Sequence, residues 1–217
     1  MDDINLDSLL DNDDEPTPTQ VFQKLEEVWL NEKFAPELLM YEGALVDCFI
    51  DQMQYMENIL RKYQKEDFRF IVHKMELDRI RYFLSSYLRI RLEKIEKFGA
   101  HMLHEESEDL AVTNMSAEER VFAYRYVTNL KDYLRNTAIK KMPPNMQFLK
   151  FEEIVCKPQM DQSVFVKVKK ECLGVILEEF DDYDGDEEIV DLVVGSQHVL
   201  RYRPITTLIK NGSLQLM

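Results

Sequence analysis

The stretch that most restricts how this chain can fold is Asp67 to Phe98, DFRFIVHKMELDRIRYFLSSYLRIRLEKIEKF, which contains no Gly and no Pro. Within it Leu77, Ile80, Leu84, Leu88, Leu92 and Ile95 recur at steps of three and four. That is the period of one face of an α-helix, so the spacing predicts a single long helix. Phe83, Tyr87 and Ile90 form a second apolar line about 100° round the same helix, a wider arc than one neighbour needs. At about 1.5 Å per residue the helix would be roughly 48 Å long, more than the diameter of a domain of about 100 residues. Either the chain's own domain buries this rod, or other chains cover part of it.

With 217 residues, 45% of them hydrophobic, the chain can bury a core without staples and has room for one large or two small domains. Its cysteines, Cys48, Cys156 and Cys172, are far apart and odd in number, which suits free thiols in a reducing compartment. The start, MDDINLDSLLDNDDE, is acidic, and no apolar run approaches 18 residues; neither secretion nor membrane insertion is indicated. The net charge of −14 is unevenly placed. Of the 41 acids, seven lie in residues 1–15 and eight in 178–188, neither stretch holding a base, which leaves 26 acids against 27 bases elsewhere. The body is close to neutral, and phosphate would repel both acidic segments.

The chain divides by pattern. Residues 1–16 are an acidic tail expected to be disordered in isolation. It nevertheless carries Ile4, Leu6, Leu9 and Leu10 at near-helical spacing between aspartates. That composition suits either a solubilising tail or a peptide that folds in a partner's groove. Thr17, Pro18 and Gln20 make a T-x-x-Q helix start. A helix follows with Phe22, Leu25, Val28 and Trp29 inward, ending where Pro36 disfavours helical geometry at Ala35. A second helix after Gly43 has Leu45, Phe49, Met53, Met56, Leu60 and Tyr63 inward. The long helix is third, and residues 99–114 read as a loop. Ser116 and Glu119 form an S-x-x-E box opening a fourth helix, with Ala123, Val127, Leu130, Leu134 and Ala138 on one face, and Pro143-Pro144 stops it. After a linker at 146–160 the period becomes 2 in SVFVKVKK. Further short strands lie in CLGVIL, IVDLVV, QHVLRY and SLQLM, with one or two helical turns at 204–210. The expected fold class is α+β: a helical domain over 17–145 with one long central helix, then a small β-rich domain over 161–217. Alone, the latter would be marginally stable, so it should dock on the helices or on a partner.

No catalytic constellation emerges. There is no Gly-rich phosphate loop, H-E-x-x-H or G-x-S-x-G motif. His101 and His104 lie near Glu105, but no third metal ligand is suggested, and polar residues at a fraying helix end explain them. DDYDGDEEIVDL resembles a calcium loop until Gly185 is aligned with the obligatory glycine, which puts Phe180 at the first ligand position. Arg79, Arg81, Arg89, Arg91, Lys94 and Lys97 decorate the long helix, interleaved with Asp78, Glu93 and Glu96. They read as a solvated or interface-facing charged surface rather than a DNA stripe. These features leave no expected catalytic, metal or cofactor residue. A helical adaptor that binds DNA directly is the alternative function, and the neutral body argues against it.

Several blocks together resemble a known family. EEVWLNEKFAPELL (Glu26 to Leu39), MELDRIRYFLSSYLRIRLEKIEKF (Met75 to Phe98), MPPNMQ (Met142 to Gln147), KPQMDQSVFVKV (Lys157 to Val168) and GSQHVLRY (Gly195 to Tyr202) are similar to the SLD five subunits of GINS, in the right order from about residue 20 onward. The resemblance implies a helical A domain followed by a β-rich B domain, with no enzymatic activity and no cofactor. It implies assembly with three paralogous subunits into a heterotetramer used in DNA replication in the nucleus. It also implies work with the MCM motor ring and a Cdc-type partner as the replicative helicase, touching DNA only indirectly. Long helices packed between subunits would explain the oversized rod. DINLDSLL (Asp3 to Leu10) resembles a short box that docks on a trimeric WD-repeat replisome hub, with Ile4, Leu6, Leu9 and Leu10 as anchors. Trp29, Phe34, Leu84, Tyr87 and Leu88 are expected in the core or at a subunit contact.

Overall fold

The structure is a computed structural model, and it describes residues 17–64, 66–108, 114–147, 155–177 and 188–217. Helix α1 spans Pro18–Phe34, α2 Gly43–Leu60, α3 Phe68–Glu108 and α4 Ala117–Thr137. Two single 3-10 turns follow, Ile139–Lys141 and Pro144–Met146. The C-terminal part holds β1 (Ser163–Val168), β2 (Cys172–Leu177), β3 (Glu188–Leu192), β4 (Gln197–Arg201), helix α5 (Tyr202–Lys210) and β5 (Leu214–Leu216). The chain is thus mostly helical, built on one long central helix, with a small β region at its C-terminal end.

Both capping boxes form. Thr17 Oγ1 accepts from the Gln20 N–H while the Gln20 side chain accepts from the Thr17 N–H, and Ser116 and Glu119 do the same. Helix α1 stops because Ala35, ahead of Pro36, takes an extended conformation. The loop expected at 99–114 is corrected in its first part: α3 continues through Gly99 to Glu108, 41 residues in all. Gly99 allows this because α4 packs against it, with Val127 and Ala123 side chains within 4 Å of where its Cβ would stand. Met102 and Leu103 extend the same contact against Leu38, Ile95, Met115 and Ala123. The cost of a glycine inside a helix is offset by the packing of α4 against this turn.

Helices α1 and α2 both lie against the first part of α3. Leu25, Phe49 and Ile80 form one buried cluster, and Val46, Leu84 and Tyr87 the next along the helix. The buried line on α3 is Leu77, Ile80, Leu84, Tyr87, Arg91, Ile95 and Phe98. Leu92, expected inward, is 38% exposed, and Arg91, expected on a charged outer surface, is wholly buried.

In the C-terminal part, antiparallel strands run in the order β4-β1-β5, and β2 pairs with β3. Val164, Val166 and Val168 on β1 point inward onto Tyr202, Ile205, Ile209, Leu214 and Leu216. The turn after α5 needs Gly212, whose φ of 67° reverses the chain so that β5 returns to β1. This small core does not close by itself, since Ala35, from the end of α1, is part of it. Asn31 Oδ1 accepts the Leu216 N–H at 2.8 Å, which occupies the outer edge of β5. Lys169 pairs with Glu27 at 2.6 Å, and the Tyr202 hydroxyl donates to Glu37 at 2.9 Å. The β region is therefore docked on α1 and the segment that follows it.

Candidate functional site

The feature of the helical part that sequence patterning misses is a charged knot around Arg91. Its Nε donates to Glu119 Oε1 at 2.8 Å and one terminal nitrogen to Glu119 Oε2 at 2.9 Å. That second nitrogen also donates to the Asn114 carbonyl at 2.9 Å. The other reaches Glu32 at 3.1 Å and the Leu39 carbonyl at 2.8 Å. Every direction of the guanidinium fork is used. Lys94 completes the group, donating to Glu32 Oε1 at 2.8 Å, to the Glu37 carbonyl at 2.7 Å and to the Glu32 carbonyl. Two acids and two bases make the knot neutral, which is what allows it to be buried.

Each partner comes from a different piece of chain: Glu32 from α1, Glu37 and Leu39 from the irregular segment after it, Asn114 and Glu119 from the entry to α4. Tyr41 and Tyr87 rings flank the guanidinium at 5.2 and 5.6 Å from their centres. Burial works against the charge on Arg91, but the hydrogen bonds to Glu119 with the nearby carboxylates hold it protonated. Burial likewise lowers the Lys94 pKa, and the Glu32 carboxylate opposes that fall. Burial pushes the Tyr87 phenol up to about 12. Its Oη has no hydrogen-bond partner, the Glu42 backbone favouring the ionised form without meeting bonding geometry. Chemically the knot is a fastener. It fixes the 35–41 segment and the start of α4 against α3.

Outside the knot, large apolar side chains remain bare. On α4 these are Val121, Tyr124, Leu130, Tyr133 and Leu134, with Tyr124 67% exposed. Leu130 and Leu134, expected inward with Ala123 and Val127, are 44% and 38% exposed. At the start of α3, Phe68, Ile71, Val72 and Met75 are bare as well. Among the described residues no three His, Cys, Asp or Glu are grouped to hold a metal ion, and no helix is long and apolar enough to cross a membrane.

Comparison with known proteins adds to this geometry. Residues 46–138 match the model of the GINS complex protein helical bundle domain, and residues 158–217 that of the DNA replication complex GINS protein SLD5 C-terminus. The chain is 43% identical to the mouse protein called DNA replication complex GINS protein SLD5, across 93% of this chain and 91% of that one. It is 42% identical to the Xenopus laevis protein of the same name, covering 95% of each, and 32% identical to that of Arabidopsis thaliana, covering 92% of each. The chain belongs to the SLD5 family of GINS proteins.

On this SLD5 chain the expected contact residues fall into two groups. Leu84 and Tyr87 are buried within the subunit, and Leu88 packs beside them half-buried. Trp29 donates its Nε1–H to Ser86 Oγ at 2.9 Å and sets its ring edgewise on Phe83 at 5.0 Å. Phe34 is 39% exposed, with Lys33 over its ring. Ile4, Leu6, Leu9 and Leu10 lie outside the described residues. The helical-bundle match includes Arg91, Lys94 and Glu119, while Glu32 precedes it.

Proposed function

We propose that this chain is the non-catalytic scaffold member of a GINS heterotetramer. It holds three paralogous subunits through its helical part and serves DNA replication in the nucleus. Within the replicative helicase it works with the MCM motor ring and the Cdc-type partner, which carry the contacts with DNA. The observation that carries this reading is the number of bare apolar side chains along α4, Val121, Tyr124, Leu130, Tyr133 and Leu134, of which the last three share one side, in a chain of a family named for a complex. Bare apolar side chains in that number on one helix call for an interface. The internal knot keeps it rigid, so a partner meets a surface already in place.

Co-expression with the three sister subunits, followed by native mass measurement, tests the reading. One copy of each is expected, and Tyr124→Asp with Tyr133→Asp should release at least one sister while leaving this chain folded. A chain that purifies as a stable monomer and captures none of the sisters would overturn it. We further propose that Ile4, Leu6, Leu9 and Leu10 anchor the tail on the trimeric WD-repeat hub. Retention of full hub binding by a Leu9→Ala, Leu10→Ala chain would remove that proposal.

A further inference from the structure

Helix α1 covers one particular strip of α3. The Phe22 ring lies 4.2 Å from the Arg79 guanidinium and edgewise to Phe83 at 5.4 Å, Trp29 bonds Ser86, and Glu32 bonds Lys94. Followed back from Arg79 at helical steps of three and four, the same strip passes through Met75, Val72 with Ile71, and Phe68. Those side chains are 67%, 42%, 48% and 75% exposed. The described part of α1 begins at Pro18, and among the described residues nothing continues its line along α3. The other neighbour at this level, the end of α2, lies to a different side, where Tyr63 stacks on His73.

We propose that residues 3–10 of the same chain cover this bare strip in the subunit before it is assembled. Three observations choose this occupant. Thr17, to which the tail is joined, caps α1 about one helical turn before Phe22, whose ring lies on Arg79 at the edge of the strip. It is long enough: 16 residues extend to about 50 Å, whereas Arg79 to Phe68 along the helix is about 17 Å. And the two sides are complementary. Residues 1–15 carry seven acids, no base and the apolar group Ile4, Leu6, Leu9 and Leu10, while Arg69 and Arg79 border the strip and residues 68–75 hold no acid. Glu76 and Asp78 follow the strip, and Asp78 is paired with Arg81. A tail held there is withheld from the hub until a competitor for the strip displaces it. That consequence rests on the function proposed above, whereas the contact itself does not.

The test uses the full chain with the photoreactive residue benzoylphenylalanine in place of Met75, irradiated at low concentration and mapped by mass spectrometry. Cross-links within one molecule to residues 1–16 are expected. They should weaken with added salt and vanish in the Ile4→Asp, Leu9→Asp chain. Cross-linked dimers, absence of any tail cross-link, or equal cross-linking in the double variant would each overturn the contact. Addition of the sister subunits should abolish the cross-link. Its survival in a formed tetramer would count against the displacement, and failure of the tetramer to form would count against the scaffold reading alone.

Discussion

Arg91 and Glu119 meet as a two-point fork in the interior, Nε to Oε1 at 2.8 Å and the second nitrogen to Oε2 at 2.9 Å. The same Oε2 also accepts the Ser116 N–H at 2.9 Å. One carboxylate therefore caps α4 and neutralises the buried cation of α3. The start of α4 and the middle of α3 cannot be displaced from each other without breaking both.

Replacing Arg91 tests this directly. Arg91→Met leaves Glu32 and Glu119 buried without their main partner, and the loss should be about 3–5 kcal/mol. Arg91→Lys keeps the charge but not the planar fork, so it should recover only a minor part. Urea unfolding of the chain measures both, and a Lys variant as stable as the parent would contradict the geometry.

Tyr87 should give an alkaline signature. Its phenol is held at about 12 in the folded chain and ionises near 10 once unfolded. The stabilisation is therefore intact below pH 10 and is lost as pH rises through 12, on the order of 2 kcal/mol. Tyr41 and Tyr202, also raised by burial, act in the same direction, while Lys94, lowered by burial, opposes them. Tyr87→Phe removes a buried hydroxyl that has no partner, so it should cost under about 1 kcal/mol at pH 7 and flatten the fall between pH 10 and 12. Melting temperature against pH, for parent and variant, reads the difference.

Leu84 and Phe34 separate packing within the chain from packing between chains. Leu84→Ala empties space between α2 and α3 and should cost about 2–5 kcal/mol in the isolated chain. Phe34→Ala, at a partly exposed side chain, should change isolated stability by no more than about 0.5 kcal/mol. If Phe34 is a subunit contact, its loss should appear in the yield of co-purified sisters instead.

Asn31 holds the β region in place. Asn31→Ala leaves the Leu216 N–H without its acceptor, at a cost of about 1–3 kcal/mol. Amide exchange at Leu216 should accelerate more than at Val166, in the middle of the sheet. Equal acceleration at both positions would mean that the whole β region, and not its edge, depends on this bond.

The elements were legible where a local rule determines them. Thr17 and Ser116 announce their caps by spacing alone, Pro36 ends α1, and the alternation at Val164, Val166 and Val168 marks β1. What escaped depends on distant partners. Gly99 looks like a stop until α4 is placed beside it. Arg91 looks solvated when the apolar line is drawn through Leu88 and Leu92. Yet a seven-residue repeat aligns it with Leu77, Leu84 and Phe98, and aligns Lys94 with Ile80 and Tyr87. That repeat was the available sign that two charges occupy core positions. Nothing in the sequence tells which carboxylates meet them, since Glu32 and Glu119 are 59 and 28 residues away.

Those separations also bear on how the helical part can come together. A guanidinium leaves water only when its counter-ions are ready to receive it, and here they arrive from opposite flanks of the chain. A shortened protein ending before α4 would strand a cation in its interior instead of forming a smaller version of the bundle. The long helix should thus acquire its neighbours in one concerted closure, with little room for a half-assembled intermediate.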